Sequence, residues 1–303
     1  MTAAPDGSAR TRIHERLVGR ERELELALAA VEAGRDLVLE GPPGTSKTTM
    51  LQAITSEWGI PLILVEGNGD LTPTKLIGHH NPVRVLREDY SADNFVPGPL
   101  VRAMREGGFL YIEEFNRSPE DTLNVLLTAM ADRRIDVPRV GTIEAGPSFR
   151  VIASMNPFDN IGTTRLSTSV SDRLNRITVD YQDAPSEERI VARRAGLEGP
   201  LIGRLIPDAV AVTRATRAHP AVHQGSSVRG AIDCTLIAER LLFSRGITDP
   251  ADERYPRAVL DAMLVALSGR IRLDEAAETT PERVLHEIWQ DRFLIEPLRV
   301  KPG

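Results

Sequence analysis

The chain has 303 residues, a formal net charge of −6 and a pI near 5.6. No basic surface is evident overall, which disfavours non-specific nucleic-acid binding. Hydrophobic residues make up 41%, charged residues 26% and aromatics 4%, which suits a globular protein of about two domains with an aliphatic core.

The one cysteine, Cys234, excludes an internal disulfide. Its helical, apolar surroundings point to a buried small residue and not a nucleophile. No run approaches the ~18 apolar residues of a membrane span. The polar start of the chain lacks the apolar stretch of a secretory signal, so a cytoplasmic location is expected.

In chain order, residues 1–12 are polar and are expected to be disordered. Residues 20–33 place Leu24, Leu26, Ala27, Leu28, Ala30 and Val31 among acids, the pattern of an amphipathic helix. The apolar run 37–40 then leads into Gly41-Pro-Pro-Gly-Thr-Ser-Lys-Thr48. This fits G-x-x-x-x-G-K-[ST], a phosphate-binding loop, and it sits between an expected strand and an expected helix over 47–58. The chemistry follows from that setting. Backbone N–H groups and a helix N-terminus surround an anion, Lys47 reaches the phosphates, and the Thr48 hydroxyl holds Mg²⁺. Only three basic residues are lysines, Lys47, Lys75 and Lys301, so a lysine at position 47 stands out.

Further apolar runs at 61–66, 109–112 and 150–154 read as strands, with a fifth at 176–179. Helical patterns at 47–58, 99–106 and 119–132 separate them. Strands alternating with helices indicate a parallel sheet covered on both faces. Two stretches break the rhythm and read as inserted β-hairpins. One pairs 83–87 with 94–96, and the other pairs 134–139 with 142–144. His79-His80 reads as a loop or hairpin base and not a metal site. Arg133-Arg134 and the acids of 21–25 read as solvated faces.

The run Gly108-Phe-Leu-Tyr-Ile-Glu-Glu114 is an apolar strand ending in two carboxylates. Behind a phosphate-binding loop, Glu113 is expected to hold the metal and Glu114 to polarise the attacking water, on a strand expected to lie beside the loop's own strand. Asn156, in Ser154-Met-Asn-Pro157, ends the next strand, where open α/β sheets bind ligands. Arg173 precedes the fifth strand, and Arg229 lies in Gly225-Ser-Ser-Val-Arg-Gly230 at the start of a helix, with Ser226 or Ser227 as N-cap. Two such arginines suit a site that clamps a transferring phosphoryl group. After about residue 180 the pattern is purely helical, with segments near 185–196, 204–217, 227–245, 254–268 and 281–290.

Taken together, the loop 41–48, Phe95-Val-Pro-Gly-Pro-Leu100, Ile112-Glu-Glu-Phe-Asn-Arg117, Leu126-Leu-Thr-Ala-Met130, Ala153-Ser-Met-Asn-Pro157, Asp172-Arg173 and Gly225-Ser-Ser-Val-Arg-Gly230 resemble the AAA+ ATPases, and among them the MoxR family. The resemblance implies a P-loop NTPase α/β domain over 13–182, its parallel sheet sandwiched by helices and carrying the two hairpins as inserts. A helical lid would follow over 183–303. Gly41, Pro42, Pro43, Gly44, Thr45, Ser46, Lys47, Thr48 and Thr49 would form Walker A, and Val18-Gly19 would lie near the adenine. Glu113 and Glu114 would form Walker B, with Thr48 and Glu113 at the metal. Asn156 would be sensor 1, Arg173 the arginine finger and Arg229 sensor 2.

It further implies ATP and Mg²⁺ as ligands, a hexameric ring, and a protein substrate or adaptor such as a von Willebrand A domain protein. The sequence departs from the family in two places. Glu113 stands where Asp is usual, and no proline precedes the finger, so Arg165 and Arg176 compete with Arg173. A DNA-directed AAA+ motor and a nucleotide-dependent scaffold with little hydrolysis are the alternative functions.

Overall fold

A computed structural model describes residues 7–88, 91–157 and 167–295. The chain divides into two compact units: Met1–Pro42 with Ser46–Asp180, and Pro43–Thr45 with Tyr181–Gly303.

The first unit begins with α1 (Gly7–Arg16) and α2 (Glu21–Glu32). Residues 7–12, expected to be disordered, are therefore helical. Ala9 and Ile13 are buried, Ile13 in one apolar cluster with residues of α2 and of the following helix. Arg12 pairs with Glu57 at 2.7 Å. A polar sequence concealed a helix whose few apolar residues all face inward.

The sheet strands are β1 (Leu37–Glu40), β2 (Leu62–Glu66), β5 (Phe109–Glu113), β8 (Arg150–Met155) and β9 (Asn175–Thr178). Between them run α3 (Lys47–Trp58), α4 (Pro73–Ile77), β3 (Gly78–His80), α5 (Pro82–Glu88), β4 (Phe95–Pro97) and α6 (Pro99–Glu106). α7 (Glu120–Asp132), β6 (Arg134–Val137), β7 (Gly141–Glu144) and α8 (Thr168–Arg173) complete the unit. The strands are all parallel, in the order β2-β5-β8-β1-β9.

Side chains alternate across a strand, and both faces are apolar. Val38, Leu110, Ile112, Val151 and Ala153 face α4, α6 and α7. Leu37, Leu39, Phe109, Tyr111 and Ile152 face α1, α2 and α3. That two-sided burial is why these strands read as continuous apolar runs.

The two inserts fold differently. β6 and β7 form the expected hairpin, with Arg134 opposite Glu144 and Val137 opposite Gly141. In the first insert the strand expected at 83–87 is instead the helix α5, and the antiparallel partner of β4 is β3, which contains His79 and His80. The local reason is a cap. The Asn81 side chain accepts from the N–H groups of Val83 (3.0 Å) and Arg84 (3.4 Å), and Pro82 occupies the first helical position. Both features start helices, and they override the strand preference of Val83 and Val85.

The second unit holds α9 (Ala184–Ala195), α10 (Ile202–Ala218), α11 (Val228–Ser244), α12 (Tyr255–Leu267) and α13 (Pro281–Gln290). Its helices pack through Leu205, Ala209, Ala238, Val259, Met263 and Leu285, all fully buried. Two short strands, β10 (Val222–Gln224) and β11 (Arg272–Leu273), pair antiparallel, so the unit is not purely helical. Cys234 is fully buried and its thiol is pushed up to about 12 by that burial, which makes it a packing residue.

No helix among the described residues is long and apolar enough to cross a membrane.

Candidate nucleotide-binding site

Parallel strands place their C-terminal ends along one edge. Glu40 lies opposite both Met155 and Thr178, and Glu66 lies opposite Glu113. Gly41, Glu114 and Asn156 therefore leave the sheet on the same edge. At Gly41 the chain passes so close to β9 that a Cβ would lie 2.0 Å from the Val179 carbonyl oxygen. Gly41 donates to Met155 O at 3.1 Å. The loop then takes left-handed conformations at Gly44 (φ +76°) and Ser46 (φ +68°) before α3 begins at Lys47. The result is a tight turn delivering a helix N-terminus to the sheet edge, the setting in which backbone N–H groups can face an anion.

Three side chains at that helix start are placed by contacts. Lys47 Nζ donates to the carbonyls of Gly41 (2.8 Å) and Pro42 (2.7 Å), so the ammonium lies over the loop. The Thr48 hydroxyl donates to the Glu113 carboxylate, which joins the expected metal residues directly. Thr49 is half-buried in the same first turn.

A group not anticipated from the sequence completes the contact. The Tyr111 hydroxyl donates to Ser154 Oγ at 3.0 Å and lies 3.3 Å from Thr48 Oγ1. Burial pushes its pKa up to about 12, so it stays protonated and donating. The signal was available: Tyr111 stands two residues before Glu113, on the same strand face, in an otherwise apolar run.

The strand carrying Glu113 does not adjoin the loop's own strand, contrary to expectation. β8 lies between β5 and β1, pairing with both. Contact is kept because α3 projects from the loop and brings Thr48 to Glu113 across that intervening strand.

The two acids diverge. Glu113 turns to Thr48, whereas Glu114 adopts a left-handed conformation (φ +51°) and its carboxylate lies 3.3 Å from Arg117 Nε. Asn156, nearly buried, follows the last residue of β8. Val18 and Gly19 form the bend between α1 and α2. The next residue, buried Arg20, donates to the Asp180 carbonyl and to Glu23 at 2.6 Å. That anchor ties the bend to the segment leaving β9.

The candidate arginines lie elsewhere. Arg173 ends α8, two residues before β9, at the N-terminal edge of the sheet, and donates to Ser169 O at 3.0 Å. Arg176 pairs with Glu40 at 3.3 Å. Arg165 lies outside the described residues. Arg229 sits in the first turn of α11, in the helical unit.

One arginine expected to be solvated is not. Arg133 forms a two-pronged pair with buried Asp36 (3.1 and 2.6 Å) and stacks on Phe149 at 5.8 Å. Asp36, the lone acid immediately before the first strand, gave the only hint. Burial raises its carboxyl pKa, against the lowering effects of the Val151 N–H and of Arg133.

Comparison with known proteins agrees with this arrangement. Residues 36–174 match the AAA domain (dynein-related subfamily). The gas vesicle ATPase GvpN of Ancylobacter aquaticus is 28% identical over 254 residues, covering 78% of this chain and 69% of that protein. Among solved structures, a candidate ATPase of Cytophaga hutchinsonii superposes with a TM-score of 0.52 at 20% identity, over 93% of this chain and 92% of its own. A Thermotoga maritima RuvB mutant gives 0.53 at 20% identity, over 83% of this chain and 71% of its own. Over residues 36–174 the chain is thus similar to AAA domains, and its five-stranded parallel sheet flanked by helices has a RuvB-like AAA+ fold.

Proposed function

We propose that the protein is a Mg²⁺-dependent ATPase of the MoxR type. It would be a chaperone-like motor that works as a homo-oligomeric ring, hexameric by resemblance, and remodels or activates a partner protein. The contact between the Thr48 hydroxyl and the Glu113 carboxylate, at the mouth of the Gly41–Thr48 loop, carries this reading. A hydroxyl and a carboxylate side by side at a helix N-terminus form the oxygen donor set that suits Mg²⁺ together with phosphate oxygens and water.

The loop N–H groups and Lys47 bind the phosphates. Thr48 and Glu113 would hold the Mg²⁺, which supplies charge neutralisation at the phosphates. Glu114 takes a proton from the attacking water, and Asn156 orients that water or the terminal phosphate. The similarity to a gas vesicle ATPase supports the hydrolytic half of the reading. The acidic net charge of −6 favours a protein partner over DNA.

Phosphate release from Mg-ATP, measured with sedimentation of the nucleotide-bound protein, tests the proposal. Turnover abolished by Lys47→Ala, in a nucleotide-dependent ring, is the expected result. Binding of ATP without release of phosphate would leave only a nucleotide-dependent scaffold.

A further inference from the structure

Three hydroxyls and a carboxylate are linked in series on the face of the sheet that packs against α3. Tyr111, two residues before Glu113 on β5, is fully buried, and Ser154 on β8 is 4% exposed. Side chains alternate along a strand, so Tyr111 shares a face with Glu113, and Ser154 shares one with Ile152. Tyr111 lies opposite Ile152, and both pack with Met50, Leu51 and Ile54 of α3. In these apolar surroundings Tyr111 Oη donates to Ser154 Oγ at 3.0 Å and lies 3.3 Å from Thr48 Oγ1. The Thr48 hydroxyl in turn donates to the Glu113 carboxylate.

A buried hydroxyl costs stability unless it is paired, and phenylalanine would fill the same space without that requirement. The direction of the protons gives the phenol a use. Each hydroxyl has one proton and two acceptor lone pairs. Thr48 commits its proton to Glu113, and Tyr111 commits its proton to Ser154. The Thr48 oxygen therefore faces a phenol oxygen with no proton left to give it. Its remaining acceptor capacity is kept for a cation, and the packed phenol limits where the Thr48 side chain can turn.

We propose that Tyr111, anchored by Ser154, is a positioning residue for the divalent cation: it keeps the Thr48 hydroxyl turned to Glu113 and the Thr48 oxygen open to the metal. This rests on the reading of Thr48 and Glu113 as the residues that hold Mg²⁺. Groups that orient metal ligands from behind tune affinity without touching the metal. Here the support comes from β8, the strand that stands between β5 and β1. The strand that separates the acid from the loop thus also supplies the anchor that keeps their contact in register.

Mn²⁺ serves as the probe. Its binding to the protein with ADP is read by electron paramagnetic resonance, and ADP affinity is measured with Mn²⁺ and in excess chelator, so neither readout needs turnover. Tyr111→Phe keeps the ring and removes only the hydroxyl. It should raise the Mn²⁺ half-saturation about three- to tenfold, the range of one net hydrogen bond, and leave ADP affinity in chelator at the wild-type value. Ser154→Ala should weaken Mn²⁺ at least as much. The freed phenol proton then turns to the Thr48 oxygen, its other neighbour, and occupies the acceptor the cation needs.

Wild-type Mn²⁺ binding in Tyr111→Phe overturns the proposal. So does an equal loss of ADP affinity with and without Mn²⁺, accompanied by lower stability to urea, which is the signature of a packing role alone. Wild-type Mn²⁺ binding in Ser154→Ala overturns the anchoring, and that variant carries the test if Tyr111→Phe does not fold. If the wild type binds ADP no better with Mn²⁺ than in chelator, Thr48 and Glu113 hold no metal, and the Mg²⁺ reading falls together with this proposal.

Discussion

The two edges of the parallel sheet handle charge in opposite ways. The C-terminal edge is built from backbone and short side chains: a glycine pressed against Val179, left-handed residues at Gly44, Ser46 and Glu114, and a hydroxyl resting on a carboxylate. The N-terminal edge is built from long charged side chains, Asp36 with Arg133 and the nearby Arg35 and Arg173. The first arrangement offers N–H donors to an anion and keeps Glu113 adjacent to a hydroxyl. The second buries a carboxylate by pairing it and leaves two cations at a cavity.

Arg173→Ala should show the largest effect. If Arg173 acts across a copy boundary, turnover should fall by about 10³–10⁵, with nucleotide binding retained. Mixing with Lys47→Ala subunits should recover activity. Loss of nucleotide binding in the Arg173 variant would place it in its own chain's site and erase the contrast between the edges.

Asp36→Ala probes what holds the N-terminal edge. Truncation leaves the Val151 N–H and the Arg133 guanidinium without their partner. Because Arg133 is about a third exposed, the cost in urea unfolding should be about 1–3 kcal/mol, below that of a fully buried pair. The pH dependence has a definite sign. Folding raises the Asp36 pKa above 3.8, so its contribution is fully present below the unfolded value and declines as pH rises through the folded one. The penalty of Asp36→Ala should therefore be larger near the acid end than at neutrality. A larger penalty at neutral pH would show that the pair, and not burial, dominates.

Glu113→Asp should have the smallest effect. The shorter acid restores the usual residue of the resembled family. Mg²⁺ tolerates contact through water, so turnover should stay within about tenfold, or ~1.4 kcal/mol. Glu113→Ala should raise the Mg²⁺ concentration needed for half-maximal turnover. An unchanged Mg²⁺ dependence would separate Glu113 from the metal.

The C-terminal edge was legible because its parts are contiguous. Positions 41–48 form one unbroken motif, and Glu113-Glu114 and Asn156 end apolar strands whose alternation with helices fixes which edge they occupy. The N-terminal edge was not legible. Asp36, Arg133, Val151 and Asn175 meet only through the strand order. An arginine abundant in the sequence carries no local sign that it will be buried.

Strand order itself escaped for a similar reason. Nothing in 109–114 or 150–156 states that β8 inserts between β5 and β1. The first hairpin was misplaced because Val83 and Val85 suggested strand, while the signal that prevailed, Asn81 followed by Pro82, was a capping signal lying just outside the apolar run.

The central claim is that the C-terminal edge hydrolyses the nucleotide and does not merely hold it. Glu114→Gln tests this most directly, because it removes the base while leaving Lys47, Thr48 and Glu113 in place. ATP-analogue affinity should be that of the wild type, with steady-state phosphate release lower by about 10²–10⁴, the range of a lost general base. Wild-type phosphate release by Glu114→Gln would contradict the account.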